Sequence, residues 1–398
     1  MSRRLPRKIL TLTTLAIAAG VVPAAHAAQL PPRPHPAAHR AGSLASTPVP
    51  GTLNAVAADS PTDAWAVGES PTGTLTLHWN GTKWSNVPSP ERGSYLSGVA
   101  ATSSSNAWAA GTACAPDDCA AQQALIQRWN GTKWSDVTLP SLGAQSSLLS
   151  VSATSASDAW ATGWTCRTAS LCNDFEWQTL ILHWNGTVWS RVASPSPHLG
   201  REKTEAFLGV SALSPTSAWA VGTTGNGTLI AHWNGTAWSR VASPSPGGAG
   251  PALTGVSATS ASDVWASGSS CFNPYNGCLS TTLMEHWNGK AWSHVATPAP
   301  RGADSDHLAG VAGMSATSAW AVGSSCINFP QCTGQGAILL RWNGTTWTRI
   351  QRHGNTPEPD LNAVTALSPT NAWAVGGYGP GNTLILHWNG TSWTQSAS

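Results

Sequence analysis

The chain has 398 residues and a formal net charge of +2, and only 10% of its residues are charged. This near balance of charge offers no basic surface for phosphate contacts, which argues against nucleic-acid binding. The 39 glycines, 28 prolines and 23 tryptophans are typical of many short strands joined by tight turns, so an all-β fold is expected.

The first 27 residues have the pattern of a cleavable secretory signal, with a basic start, a short apolar stretch and the small-residue motif Ala25-His26-Ala27. The apolar stretch from Ile9 to Val22 is too short to span a bilayer comfortably, and no later run reaches spanning length, so no transmembrane segment is expected. Cleavage leaves 16 basic against 18 acidic residues, a net charge of about −2. We predict a secreted, extracellular protein, with Sec and twin-arginine export both open.

Residues 28–50 form a lead-in rich in proline and alanine, which predicts an extended or disordered segment. Its end is similar to the segment Val241-Ala242-Ser243-Pro244, which follows the last predicted strand of a later repeat. We therefore expect the lead-in to help hold the first and last repeats of the folded region, residues 51–398, together.

The folded region repeats one phrase seven times: approximately L-x-x-V-S-A-x-S-x-x-x-A-W-A-V-G, a variable stretch, and L-x-L-H-W-N-G-T-x-W-S-x-V. Each unit predicts four strands, and a period of roughly 50 residues is typical of a propeller or solenoid. Because one such unit cannot bury both of its faces, we expect a monomeric, seven-bladed β-propeller of four-stranded antiparallel blades. The units start near Leu53, Leu96, Leu148, Phe207, Leu253, Leu308 and Leu361.

Three tryptophan positions recur in every unit, for example Trp65, Trp79 and Trp84. They suit either a sugar-stacking surface or packing between blades, and repetition at one strand position favours packing. A further position holds a basic residue in every unit. Since ligands of one metal ion must converge within about 2 Å of it, equivalent positions on different blades predict a structural role. These residues are His78, Arg128, His183, His232, His286, Arg341 and His387.

An Asn-Gly pair between alternating apolar residues ends the third strand of every unit and is a strong hairpin signal. Six units continue with threonine and so form a glycosylation sequon, but Asn288-Gly289-Lys290 keeps the turn without it. Hairpin geometry is therefore the better explanation of the motif.

The unit resembles the kelch repeat and the related galactose-oxidase propeller, in which a glycine-ended strand is followed by an aromatic residue, a short turn and a tryptophan. Ala-Val-Gly and then Trp79-Asn80-Gly81-Thr82-Lys83-Trp84 occupy those places here. The Gly-Gly doublet of that family occurs only at Gly376-Gly377, so the resemblance implies kelch-like architecture rather than membership. That resemblance would imply a copper site with a Tyr-Cys crosslink beside further tyrosine and histidine ligands. The chain has only three tyrosines, Tyr95, Tyr275 and Tyr378, and all eight cysteines have close partners, so no metal or cofactor is expected.

All variation in length falls on loops that a four-stranded meander places on one face. These loops contain four close cysteine pairs, which predict local disulfides in an exported chain, with a metal site as the alternative. The pairs are Cys114/Cys119, Cys166/Cys172, Cys271/Cys278 and Cys326/Cys332. The same loops contain aromatic residues outside the repeat, which are candidate ligand contacts or covers for the disulfide loops. These are Trp164, Phe175, Trp177, Phe272, Tyr275, Phe329 and Tyr378.

The L-x-x-V segments that are expected to line the central channel contain no carboxylate, histidine or arginine. The sequence therefore favours a non-catalytic extracellular module that binds a glycan or a protein through the loops. One alternative is a glycoside hydrolase or lyase that uses loop carboxylates such as Asp174/Glu176 or Asp304/Asp306. The other is a structural or envelope-associated scaffold.

Overall fold

The computed structural model describes residues 49–90, 94–115, 118–168, 172, 176–196, 204–245, 250–271, 279–298, 305–327, 334–351 and 359–397. The described strands form seven separate four-stranded sheets, each an antiparallel meander in chain order. They are the blades of a propeller ring, which confirms the predicted seven-bladed all-β fold. The predicted signal peptide and residues 28–48 of the lead-in lie outside the described residues.

The blades use consecutive strands, and each last strand is short. Blades 1 to 4 contain β1 (Thr52–Ser60), β2 (Asp63–Ser70), β3 (Gly73–Trp79), β4 (Trp84–Asn86); β5 (Tyr95–Ser103), β6 (Asn106–Ala115), β7 (Asp118–Trp129), β8 (Trp134–Asp136); β9 (Gln145–Ser155), β10 (Asp158–Cys166), β11 (Gln178–Trp184), β12 (Trp189–Val192); β13 (Ala206–Ser214), β14 (Ser217–Thr223), β15 (Thr228–Trp233) and β16 (Trp238–Val241). Blades 5 to 7 contain β17 (Ala252–Ser260), β18 (Asp263–Ser269), β19 (Thr282–Trp287), β20 (Trp292–His294); β21 (Ser305–Ser315), β22 (Ser318–Ile327), β23 (Gly334–Trp342), β24 (Trp347–Arg349); β25 (Pro359–Ser368), β26 (Asn371–Tyr378), β27 (Asn382–Trp388) and β28 (Trp393–Gln395).

A β-bulge in the first strand of each blade explains why every unit has a glycine at the end of A-W-A-V-G. In blade 1 the register passes from Leu53 opposite Gly68 to Ala55 opposite Val67, so Asn54 is the extra residue. The bulge brings the carbonyl of Thr52 so close that a Cβ at Gly68 would lie 1.9 Å from its oxygen. The corresponding distance is 1.9–2.0 Å in all seven blades. The glycine is therefore required by close approach of two strands.

We expect Gly222→Ala in blade 4 to lower the free energy of unfolding by about 2 kcal/mol, because the added methyl group must push apart two paired strands. Its Cβ would lie 1.9 Å from the carbonyl oxygen of Ala206. Chemical denaturation measures the change. Gly227→Ala is the matched control, since its Cβ would meet nothing closer than 3.5 Å. Equal loss of stability in the two variants would contradict this explanation.

Tryptophans from two blades meet at every seam of the ring. The centroid of the Trp65 ring lies 4.8 Å from that of Trp129 and 4.9 Å from that of Trp134 in the next blade. The same three-ring contact recurs at the other six seams. Offset and edge-on aromatic pairs stabilise a core beyond the area that they bury. The predicted packing role of the repeated tryptophans is confirmed.

Among the described strands none is exchanged between blade 7 and blade 1, because blade 7 takes all four of its strands from the end of the chain. The Val49 carbonyl accepts a hydrogen bond from the Thr383 amide (3.2 Å), and the Gly51 amide donates to the Gly381 carbonyl (2.8 Å). The Asn362 side-chain amide donates to the Leu53 carbonyl (2.9 Å). The last residues of the lead-in therefore contact the final blade, while a closing role for residues 28–48 stays a prediction.

Candidate functional site

The face of the ring that carries the Asn-Gly hairpins and the turns between first and second strands is called the turn face below, and the opposite face is the loop face. In the first hairpin the Asn80 carbonyl Oδ1 accepts hydrogen bonds from the amides of Thr82 (3.0 Å) and Lys83 (3.1 Å) and from the Thr82 hydroxyl (2.8 Å). In blade 5 the Lys290 and Ala291 amides make the same two backbone bonds without the hydroxyl. These bonds support the hairpin explanation of the motif. The hairpin contains four residues between paired tryptophans, rather than Asn-Gly alone.

In every blade a hydrogen bond joins the Asn-Gly hairpin to the turn between the first and second strands. The Trp79 indole donates a hydrogen bond to the Pro61 carbonyl (3.1 Å), and a Cβ at Gly81 would meet Thr62 at 2.9 Å. Equivalent indole bonds of 2.9–3.1 Å occur in the other six blades. The turn face is thus a rigid, repetitive surface, and the loop face is left free to vary.

The repeated histidines lie between a tryptophan and a polar partner of their own blade. His78 Nε2 lies 2.5 Å from Asp63 Oδ1, and its ring centroid lies 4.4 Å from that of Trp65. His183 and His286 contact Asp158 and Asp263 in the same way, at 2.7 Å. Within the described part of the chain, no three histidine, cysteine, aspartate or glutamate side chains are grouped to hold a metal ion. These contacts support the predicted structural role.

In blade 1 a second carboxylate, Asp59, lies beside Asp63 near the turn face. Burial, followed by a hydrogen bond to Asp63 and repulsion from it, raises the pKa of Asp59 to about 6. In blades 3 and 5 the same place is taken by Thr154 and Thr259, whose hydroxyls donate to the equivalent aspartates. A threonine at position 59 would therefore donate a hydrogen bond to the Asp63 carboxylate without adding a second negative charge.

We expect Asp59→Thr to stabilise the protein at pH 8 and to change it little near pH 4. A folded-state pKa above the usual 3.8 means that the wild type loses stability as the pH rises through about 6. Because solvent screens this partly exposed carboxylate, the expected gain in the free energy of unfolding at pH 8 is about 1 kcal/mol. Thermal unfolding at the two pH values measures it. The reciprocal variant Thr154→Asp should lose stability at pH 8, and a gain there would contradict the assignment.

Two candidate ligand contacts, Trp164 and Trp177, stack on each other in blade 3. Their ring centroids are 4.4 Å apart with an interplanar angle of 12°, and the residues are only 7% and 8% exposed. They pack with the disulfide of Cys166 and Cys172 and with blade 4. This placement favours their role as a cover for the disulfide loop. Tyr378 ends β26 and is partly exposed, whereas Phe175, Phe272, Tyr275 and Phe329 lie outside the described residues.

The structure contains the disulfide between Cys166 and Cys172, with Cα atoms 5.4 Å apart. Cys114, Cys271 and Cys326 are also disulfide-bonded. The side chains of their expected partners, Cys119, Cys278 and Cys332, lie outside the description, so these three pairings stay predictions.

The central channel encloses about 280 Å³ and is lined by three residues of the innermost strand of each blade. None of these described lining residues has an ionisable side chain. The bulge residue Thr254 donates a hydrogen bond to the Leu308 carbonyl (2.8 Å), and Asn54 donates to the Leu96 carbonyl (2.9 Å). Polar side chains of the channel therefore join neighbouring blades.

The innermost strands nevertheless contain ionisable residues, because several of them begin before the repeated L-x-x-V segment. At the loop-face end of the channel, the residue just before the repeated Leu or Phe is called the mouth position. Burial raises the pKa of Tyr95, a mouth residue, and burial also raises the pKa of the nearby Glu69. The L-x-x-V segments line the channel without ionisable side chains, but several of the strands that contain them begin earlier and have ionisable residues at the mouth. The mouth positions are Thr52, Tyr95, Ser147, Ala206, Ala252, His307 and Asp360.

Asp306, which the sequence places in a loop as one of two paired carboxylates, lies in β21 and is only 7% exposed. Burial raises its pKa to about 6, and the Arg349 guanidinium opposes the shift. Asp304 and Asp174, from the two proposed carboxylate pairs, lie outside the described residues, and Glu176 has an interaction partner. Asp306 is therefore a buried strand residue rather than a solvated loop carboxylate.

No protein-family model matches the chain, and no curated protein matches it in sequence. A GH74 xyloglucanase from Xanthomonas campestris has a similar structure, with a TM-score of 0.57 and 14% identity over 87% of this chain and 53% of that one. YCF48 from Cyanidioschyzon merolae matches with a TM-score of 0.53 and 14% identity over 86% and 97% of the two chains. The Cps50 (Swd1) β-propeller domain of Myceliophteria thermophila matches with a TM-score of 0.51 and 9% identity over 86% of this chain and 98% of that one.

At these identities the similarity shows the propeller fold alone. The structures named above are not described as kelch proteins, and the kelch-like relationship stays a prediction. Among the described residues, no helix is long and apolar enough to cross a membrane.

Proposed function

We propose that this chain is a secreted, non-catalytic module that binds a glycan or a protein partner through its loop face. The observation that carries the proposal is the contrast between the two faces. Seven hairpins on the turn face are held by the same indole bond, whereas the variation in length falls on the loop face. Binding residues are found disproportionately on variable loops that a rigid scaffold positions.

Two features favour binding over catalysis. The channel lining is uncharged, and Asp306 is buried in a strand. An inverting or retaining glycosidase needs two facing carboxylates about 5–10 Å apart in a shared cleft. The similarity to a xyloglucanase does not alter this preference, because one propeller fold serves unrelated functions.

Binding of the secreted protein to an array of defined glycans, combined with capture of partners from the surface of the secreting cell, tests the proposal. We expect a retained ligand whose binding is weakened by Tyr275→Ala or Tyr378→Ala. Lys133→Ala, on the exposed turn face, is the control and should bind like the wild type. Capture of an envelope component whose binding is unchanged in the loop-face variants would instead support a scaffold. Turnover of a polysaccharide would support the hydrolase.

A further inference from the structure

The Asn-Gly pair of the hairpins also occurs once on the loop face. The structure describes eight such pairs, of which seven lie in the turn-face hairpins and one, Asn226-Gly227, lies in the loop between β14 and β15. A loop that joins a second strand to a third belongs to the loop face. A ninth pair, Asn276-Gly277, lies outside the described residues. The eight described pairs contain the same two residues, so any difference in their chemistry comes from their surroundings.

Hydrogen bonds hold the asparagine side chain in all seven hairpins. Its Oδ1 atom accepts from the backbone amides two and three residues ahead, at 2.9–3.1 Å. In six hairpins it also accepts from a threonine hydroxyl, at 2.8–2.9 Å. Asn288 has the two backbone bonds without the third, because Lys290 takes the place of the threonine.

The glycine of each hairpin is held by a second turn. Its nearest contact is a serine or threonine in the turn between the first and second strands, and an added Cβ would lie 2.8–3.2 Å from that residue in all seven blades. The indole hydrogen bond joins the hairpin to the same turn. The hairpin backbone therefore cannot shift without disturbing the neighbouring turn.

Asn226 and Gly227 lack both restraints. The Asn226 side chain is exposed and has no hydrogen-bond partner among the described residues. A Cβ at Gly227 would meet nothing closer than 3.5 Å. The Gly227 carbonyl accepts hydrogen bonds from the Thr224 amide (2.8 Å) and hydroxyl (3.1 Å), but neither bond involves the Asn226 side chain.

We propose that Asn226 is a site of spontaneous deamidation in the folded protein and that the seven hairpin asparagines are protected from it. The Gly227 backbone nitrogen, which no neighbouring Cβ shields, attacks Cγ of Asn226. A C–N bond forms, the Cγ–Nδ2 bond breaks, and ammonia leaves with the proton of the Gly227 amide. Water then opens the cyclic imide. Opening at Cγ produces aspartate, and opening at the main-chain carbonyl produces isoaspartate, whose backbone runs through Cγ.

The modification changes the loop face of blade 4. Both products add a negative charge there, and isoaspartate also adds one atom to the backbone between Thr224 and Gly227. That backbone is the turn whose ends the Thr224 amide joins to the Gly227 carbonyl. The secreted protein is therefore expected to age into forms that differ at this loop, whichever ligand the loop face binds.

The test follows the eight described pairs in the full secreted chain at pH 8 by peptide mapping and mass spectrometry, in buffer and in denaturing urea. In urea the eight asparagines should react at similar rates, because each precedes a glycine. In buffer Asn226 should react nearly as fast as in urea. The seven hairpin asparagines should react roughly tenfold more slowly than Asn226 or slower still, because two or three hydrogen bonds must break before the imide forms.

Gly227→Ala separates the chemistry from the fold. The added methyl group has room in the structure, so the midpoint of thermal unfolding should stay unchanged, whereas a side chain beside the attacking nitrogen should slow deamidation of Asn226. The inference is overturned if Asn226 reacts no faster in buffer than the hairpin asparagines. It is also overturned if those asparagines react as fast in buffer as in urea, or if Gly227→Ala leaves the rate at Asn226 unchanged.

Blade 5 provides a control for the protecting hydrogen bonds. Asn288 lacks the threonine hydroxyl bond, so it should be the fastest of the seven hairpin asparagines in buffer. A slower reaction at Asn288 than at the other six would overturn the protective role of these bonds.

Discussion

Trp373→Ala is expected to lower the free energy of unfolding by about 4 kcal/mol, in the range measured for buried tryptophans replaced by alanine. Trp373 is 2% exposed and contacts Trp79 and Trp84 of blade 1, with ring centroids 4.9 and 5.2 Å apart. It also packs with the aliphatic core between the first and last blades. Because no strand that the structure describes is exchanged across this seam, its side-chain packing and a few hydrogen bonds keep the ring closed. Urea unfolding measures the loss.

Trp160→Ala is the matched control for ring closure. Trp160 makes the same contacts inside the ring, 4.9 Å from Trp233 and 5.2 Å from Trp238, so a similar loss of stability is expected. The two variants should differ in hydrogen exchange. Trp373→Ala should speed exchange in β1 and β26, which face each other across the closing seam, whereas Trp160→Ala should not. Slow exchange in β1 and β26 of Trp373→Ala would show that the closing seam does not depend on this packing.

Glu285→Leu is expected to stabilise the protein, and its advantage should grow by about 3 kcal/mol between pH 4 and pH 8. Glu285 is fully buried at the seam of blades 4 and 5, in the register position that leucine occupies in blades 1, 3, 6 and 7. Burial raises its pKa to about 7, and the Ser243 hydroxyl, 3.0 and 3.1 Å from the carboxylate oxygens, only partly opposes this.

The direction follows from the raised pKa. A carboxyl that titrates near 7 in the folded protein and near 4.5 when unfolded favours folding below about pH 4.5, and this contribution is lost as the pH rises through 7. Unfolding by urea across this range measures it. Glu285→Gln should flatten the pH dependence without the full gain of leucine. The assignment would be contradicted if the wild type were as stable at pH 8 as at pH 4 and Glu285→Leu were no more stable than the wild type.

The repeat allowed the blade number and the strand order to be predicted, because each unit carries its own turn and tryptophan signals. It also indicated which tryptophans pack between blades. The starts of the innermost strands were missed, since mouth residues such as Tyr95, His307 and Asp360 share no type and sit outside the repeated phrase. The burial of Asp306 was missed for the same reason: a carboxylate before a repeat looks like a loop residue until the strand pairing is known.

The glycine that ends A-W-A-V-G is a feature whose structural cause could have been predicted from the sequence. A glycine kept in seven units within a strand indicates a bulge or close approach of backbone, and the structure shows both. The stacking of Trp164 on Trp177 had no comparable signal, because these two residues occur in one blade and are separated by the disulfide loop.

Oriented immobilisation tests the central claim, that the loop face does the binding, most directly. A single biotinylated cysteine placed at Lys133, on the turn face, or at Thr72, in the exposed loop between β2 and β3, attaches the ring to a sensor by either face. With the glycan or partner identified by the screen, we predict capture when Lys133→Cys is the anchor and its loss when Thr72→Cys is. Equal capture in both orientations, or capture only through the Thr72 anchor, would contradict it.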